Sequence, residues 1–309
     1  MAKPLTRAFR FALNKIGYDL LRIQKTNIHH EAKSGHGRGG GFDAFETIVP
    51  REIKSFDIIL RSCARVDILL QGDRERFIGV KKSELILRCV NSVIRSIQHA
   101  QENGVDAKIS LVVLDDHSMP EFVEQLKTLL ATCPCPTKYV GLQGTGVGAS
   151  LKEAYELGRK SEDVIYFAAD DYLHEQSAIL EIIQSFARLS ATMDSEIALF
   201  PSDYPESYRT VIPATIMLGS HRHWRGIGGS TGADVISVRT LNKYWDIYMA
   251  FTEYGTSADI TEDTTINKIY KEIPCFAPIP SLSVHFQHYE TLSPYFDWKK
   301  WWEASALEH

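Results

Sequence analysis

The sequence predicts an α/β fold, with a mostly parallel sheet and helices packed on both of its faces. Two observations carry this. Short, almost wholly apolar runs, such as ISLVVL and VIYFAA, alternate with longer segments whose apolar residues recur every three or four positions. Runs of the first kind leave no polar face for solvent, as strands covered on both sides must. Several of them also end abruptly in acids or glycines, where a parallel sheet gathers its ligands.

The elements follow in order. Residues 1–33 form a separate amphipathic helical segment, with Leu5, Phe9, Leu13, Ile16, Leu20 and Ile23 at helical spacing and Arg7, Arg10, Lys15, Arg22 and Lys25 between them. A basic amphipathic helix suits peripheral contact with an anionic membrane, or packing on the body or a second subunit. Residues 34–54 are a linker opening with SGHGRGGG. Strands are expected at 56–63, 109–118, 137–142, 163–173 and 196–202, and helices at 83–101, 121–132, 148–161 and 177–190. Together these make a first half over 55–203. From 204 to 290 regularity weakens and Tyr, Trp, His and Gly become frequent, as in loops that build a binding surface. Residues 291–306 are an aromatic-rich C-terminal segment containing YFDWKKWWE, a candidate acceptor platform, membrane-surface anchor or homodimer contact, or a face packed on the N-terminal helix. Residues 307–309 read as a tag remnant.

The bulk numbers narrow the class. With 309 residues and 44% hydrophobic content the chain can bury a large core. Its 34 Lys+Arg against 39 Asp+Glu offer no basic excess, which disfavours nucleic acid as a partner. Five cysteines without a repeating framework fit a reducing, cytoplasmic setting, and CPCP at 133–136 reads as a Pro-rich turn. No apolar run is long enough to span a bilayer.

Chemistry-bearing residues cluster at the inferred strand ends. The first ends in Arg61-Ser-Cys-Ala-Arg65, the second in Asp115-Asp-His-Ser118, and the fourth in Asp170-Asp171. The third runs into Gly141-Leu-Gln-Gly-Thr-Gly-Val-Gly148, opening a helix whose N-terminus favours anions. Two adjacent carboxylates repel unless a cation lies beside them, and a metal ion is the obvious one.

LVVLDDHS, GVGASLKEAYELG and VIYFAADDYL, in that order, resemble the nucleotide-sugar half of family 2 glycosyltransferases, which have the Rossmann-like GT-A fold. Ile260-Thr-Glu-Asp-Thr264 is similar to the motif that carries their catalytic base. The resemblance covers roughly residues 56–290 and implies an inverting transfer from a nucleotide sugar, a UDP-sugar first, to a glycan or lipid-linked acceptor. It implies Asp263 as base with Glu262 as fallback, and Mn²⁺ or Mg²⁺ held by Asp171 and His285, with His288 second. Donor contacts are expected from Ser62, Arg65, Asp115, Asp116, Gly148, Asp170 and Gly229. Asp116 is alternatively a cap for the helix that follows it. Ala169-Asp170-Asp171 stands where the family has Asp-x-Asp, which leaves open which acid ligates. His221-Arg-His-Trp-Arg225 falls where the family meets sugar, so Trp224 either stacks on a ring or is buried. The basic N-terminus suggests bacterial surface polysaccharide synthesis at the inner face of the membrane. Two alternatives remain: a nucleotidyltransferase that makes nucleotide sugars, and a non-catalytic carbohydrate-binding protein.

Overall fold

The computed structural model describes residues 48–65, 79–209, 211 and 213–307. The expected N-terminal helix and the glycines of the linker lie outside the described residues.

The first half is strands and helices in alternation: β1 (Ser55–Ser62), α1 (Lys82–Glu102), β2 (Lys108–Asp115), α2 (Pro120–Leu130), β3 (Thr137–Gly141), α3 (Gly146–Gly158), β4 (Val164–Ala169), β5 (Tyr172–His174) and α4 (Ala178–Met193). Each expected element of this half is present within a few residues. The apolar run at 163–173 is the exception, because it breaks at Asp170-Asp171 into two strands. The second half has shorter pieces: β6 (Ala198–Leu199), β7 (Ile216–Leu218), β8 (His223–Ile227), β9 (Val235–Ser237), α5 (Val238–Lys243), α6 (Trp245–Phe251), a 3₁₀ turn over Ile266–Lys271, β10 (Cys275–Ile279), β11 (Ser283–His285) and α7 (Trp298–Ala304).

Among the described residues nine strands form one sheet in the order β3-β2-β1-β4-β9-β6-β10-β8-β7, while β5 pairs with β11 apart from it. β1 runs parallel to β2 over Ser55–Ser62 and to β4 over Phe56–Arg61. Strand β9 pairs antiparallel with β4 and β6, and β8 antiparallel with β10, so the sheet is parallel in its first half and mixed beyond.

Side-chain alternation along the strands explains the two covered faces. Phe56, Ile58 and Leu60 of β1, with Val164, Tyr166 and Ala168 of β4, join one core with residues of α1, α2 and α4. Ile59, Ile165 and Phe167, one position out of phase, join the opposite core with residues of α3, α5 and α6. Burying each such Ile, Leu or Phe contributes about 1.5–3 kcal/mol, and a register slip of one residue would exchange the two cores. Among the described residues no helix is long and apolar enough to cross a membrane.

The parallel register carries a functional consequence. It brings the ends of β1, β2 and β4 to one edge, with Ser62 paired to Asp115 and Arg61 to Ala169. Helix α3 returns from that edge and packs closely on α6. A Cβ on Gly148 would lie 2.3 Å from the carbonyl oxygen of Thr252, so helix packing already accounts for the glycine without a nucleotide contact. Gly148→Ala is expected to lower the unfolding free energy by about 1–3 kcal/mol through overpacking, read from a urea midpoint. An unchanged midpoint would mean that the approach of Thr252 does not require a glycine here.

Candidate active site

The acids at the strand ends are each committed to a local task. Asp115, almost wholly buried, accepts the N–H of Ser118 at 3.0 Å, the Ser118 hydroxyl at 2.6 Å and the Tyr139 hydroxyl at 3.2 Å. The turn is tight enough to put His117 in the left-handed region at φ 55°. Asp116 accepts the N–H of Gly146 at 2.8 Å. Thus it caps α3, not α2, the helix that follows it, because the parallel sheet places the ends of β2 and β3 side by side. The anion-favouring terminus expected at α3 is occupied in part by this carboxylate.

Asp170 and Asp171 diverge. The Asp170 carboxylate accepts the N–H of Cys63 at 2.8 Å, across the gap between β1 and β4. Desolvation pushes its carboxyl up to about 6; Lys82 pulls it down, the Asp171 charge adds to the rise, and the Cys63 N–H and Arg61 pull it down. Asp171 meets His285 Nε2 at 3.0 Å, and the backbone reinforces the pair: β11 runs antiparallel to β5, and the Phe286 N–H donates to the Asp171 carbonyl at 2.8 Å.

The imidazole is held rigidly. Tyr172 stacks on it with centroids 4.4 Å apart and planes 9° from parallel, and His285 Nδ1 meets the Tyr204 hydroxyl at 2.9 Å. That hydroxyl lies 2.9 Å from the hydroxyl of Tyr172, which is 2.6 Å from Thr231 Oγ1. A hydrogen-bonded chain therefore runs from Asp171 through His285, Tyr204 and Tyr172 to the glycine-rich loop at 226–232.

That loop lines a cleft of about 890 Å³ together with Tyr204, Arg225 and Asp263. Asp263 lies in the turns before the 3₁₀ segment rather than at the start of an α-helix. Its Oδ1 accepts from Asn267 Nδ2 at 2.8 Å, and Asn267 Oδ1 accepts the Ser230 N–H at 3.0 Å. Both contacts agree on one amide orientation. A Cβ on Gly229 would fall 2.7 Å from Asn267 Nδ2, so the glycine permits the approach. Burial raises the pKa of the Tyr204 and Tyr254 hydroxyls, and the neighbouring Glu262 carboxylate adds to the rise in both.

Asp171 and His285 offer a carboxylate oxygen and an imidazole nitrogen in contact, oriented from behind by Tyr204, a donor set suited to a divalent cation. Among the described residues no group of three His, Cys, Asp or Glu gathers to form a closed cage. Two protein donors with the rest left to phosphate oxygens and water is the pattern of an ion shared with a substrate diphosphate, and the residues fit that use.

The remaining expected residues are placed as follows. Trp224 is fully buried and its indole N–H donates to Glu181 at 3.1 Å, so it belongs to the core and stacks on no sugar. Its neighbours are paired within the protein: His221 with Glu181, Arg222 with Glu175, and Arg225 with Asp203. Arg65 is exposed. His288 sits at the turn over Tyr289–Thr291, its N–H donating to Thr291 Oγ1 at 3.2 Å. The C-terminal aromatics pack on α1 and the β5–β11 pair: Trp298, Trp301 and Trp302 join Leu85, Cys89, Leu173, Val284 and Phe286. Arg88 lies 4.4 Å from the Trp302 ring centroid. Sequence reasoning missed Asn267, Tyr172 and Tyr204. Tyr172 alone carried a signal, standing directly after the acid pair.

No known family matches the chain by sequence model, and no curated protein matches it. Solved structures resemble it in outline. S. aureus TarS 1–349 aligns over 72% of this chain and 60% of that one, at 16% identity and a TM-score of 0.46. The same fragment in complex with UDP-GlcNAc aligns at 16% identity and 0.43. A UDP-glucose pyrophosphorylase complexed with UDP-glucose aligns over 82% of this chain and 97% of its own, at 12% identity and 0.42. The chain thus spans about three fifths of the TarS fragment it resembles.

Beside the site, His174 is buried on β5 and donates from Nδ1 to the Tyr172 carbonyl at 3.1 Å while Nε2 accepts from Tyr166 at 2.8 Å. Burial lowers this imidazole to about 4 from an ordinary 6.5. The unfolded chain therefore binds a proton that the folded one refuses, so the stabilisation is complete above about 6.5 and is lost as pH falls toward 4. Between those values the parent protein is expected to lose more unfolding free energy than His174→Gln, measured by urea titration at each pH.

Proposed function

We propose that the chain is a metal-dependent, inverting glycosyltransferase that moves a sugar from a nucleotide-sugar donor to a saccharide or lipid-linked acceptor, in the assembly of a surface glycan. One observation carries the reading. The Asp171–His285 pair and the Asp263 carboxylate are tied to neighbouring residues of one glycine-rich loop, Thr231 and Ser230, and Asp263 opens on the cleft that this loop lines.

Asp171 and His285 would hold Mn²⁺ or Mg²⁺ against the donor diphosphate. Such an ion offsets the negative charge that grows on the diphosphate as the sugar departs. Asp115 and Asp116, fixed at the end of β2, would face the nucleoside side of the donor. Asp263 takes the proton of the acceptor hydroxyl as its oxygen attacks the anomeric carbon from the face opposite the leaving group. A new C–O bond forms while the bond to the diphosphate oxygen breaks, and the configuration inverts. The Asn267 amide holds Asp263 in register during this attack, and Glu262 stands beside it.

UDP-sugars, named as ligands in two of the similar structures, head the donor screen. Purified protein should transfer or hydrolyse one nucleotide sugar in the presence of Mn²⁺ or Mg²⁺, and Asp171→Asn should abolish that turnover. Full activity in Asp171→Asn would sink the metal assignment. Pyrophosphate release from a nucleoside triphosphate would mark a nucleotidyltransferase instead, and glycan binding without nucleotide or metal would mark a non-catalytic lectin-like protein. For the base, Asp263→Asn is expected to cost about a hundred- to ten-thousandfold in kcat with donor KM little changed. Asn267→Ala is expected to cost about ten- to a hundredfold in kcat, the worth of a hydrogen bond to a charged group.

A further inference from the structure

The geometry points to Lys82, at the N-terminus of α1, and Ser62, at the end of β1, as a phosphate-binding site that receives the donor's diphosphate. This rests on the nucleotide-sugar reading above.

The start of α1 is electrostatically incomplete. The helix is 21 residues long, its first residue is Lys82, its N-cap is Lys81, and no side chain caps it. A helix N-terminus presents unpaired N–H groups and the positive end of the macrodipole, so lysine there favours a nearby anion, and the Asp170 charge on which it acts lies beyond hydrogen-bond reach. Glu84 in the first turn does not supply that anion, being paired with Arg88 at 2.9 Å on the solvent side.

Two buried donors point to what is missing. Lys82 is only 6% exposed and its Nζ makes no hydrogen bond among the described residues. Ser62, 4% exposed at the end of β1, has an equally unpartnered hydroxyl. Leaving a buried donor unmade costs about 1–3 kcal/mol, and more for a charged one, so two at one strand edge call for a ligand rich in acceptor oxygens. Both belong to the surroundings of Asp170: the residue after Ser62 donates its N–H to that carboxylate, and the Lys82 charge acts on it.

The site also needs this cation. Asp170 and Asp171 together would repel a diphosphate. The Lys82 ammonium, whose charge acts on Asp170, offsets one of the two charges, and an ion at Asp171 and His285 would offset the other. The four-carbon lysine stem can swing its three donors toward an arriving phosphate. A nucleoside monophosphate or free sugar offers too few charged oxygens for both positions, and a diphosphate offers enough.

Inorganic pyrophosphate with Mg²⁺ tests this without assuming a nucleobase. Titration calorimetry on the full chain should show binding that Lys82→Met weakens about tenfold or more. Lys82→Arg, which keeps the charge, should stay within about threefold of the parent by the same scale. The Lys82→Met, Asp170→Asn double variant removes both buried charges together and guards against misfolding of the single one; it too should bind pyrophosphate more weakly than Asp170→Asn alone. Equal pyrophosphate affinity with and without Lys82, or no binding by the parent protein, overturns the proposal. UDP binding that is unchanged by Lys82→Met overturns it while leaving the donor reading intact. Lys82-dependent pyrophosphate binding without affinity for any nucleoside diphosphate upholds the phosphate site and removes the donor reading.

Discussion

The site depends on how two adjacent carboxylates are kept apart. Asp170 and Asp171 break one apolar run into β4 and β5 and then turn to different partners, the Cys63 amide for one and His285 for the other. Each partner comes from a different part of the chain, the end of β1 and the end of β11. The division leaves Asp171 backed by an imidazole, while Asp170 ties two strands of the parallel edge together. The Lys82 charge, the Cys63 N–H and Arg61 pull Asp170 back toward its ionised form, against desolvation and the Asp171 charge.

The second constraint is the glycine-rich loop. Thr231 is linked through Tyr172 and Tyr204 to His285, and Ser230 through Asn267 to Asp263. Two consecutive residues thus tie the Asp171–His285 pair and the Asp263 carboxylate to one loop. Hydroxyls and an amide do this well, since each donates and accepts, and burial makes their geometry unforgiving. The stacked Tyr172 ring leaves the imidazole little freedom to rotate. Pre-organisation of this kind lets a few side chains meet a reacting group without reordering first.

Around this centre, charges that looked available in the sequence are spent on structure. Glu181 accepts from Trp224, Ser185 and His221, and Arg225 with Tyr208 closes on Asp203. Burial pushes the Asp203 carboxyl up, against the pull of Tyr208 and Arg225, as expected for an acid held in a wall rather than offered to solvent. Buried acids of this sort are tolerated because every one is satisfied.

The sequence by itself determined the α/β alternation, the two-faced core and the set of acids at one edge. These follow from local periodicity and from strand ends, which short windows of residues reveal. It also singled out Asp171, His285 and Asp263, although from a resemblance rather than from geometry. The tertiary structure alone decided that Asp116 caps α3, that Trp224 is core, that the C-terminal tryptophans cover α1, and that Asn267, Tyr172 and Tyr204 orient the site. The reason is sequence separation. Asp171 and His285 are far apart along the chain and meet only because β5 and β11 pair, and no local pattern encodes a contact that depends on the sheet having already formed.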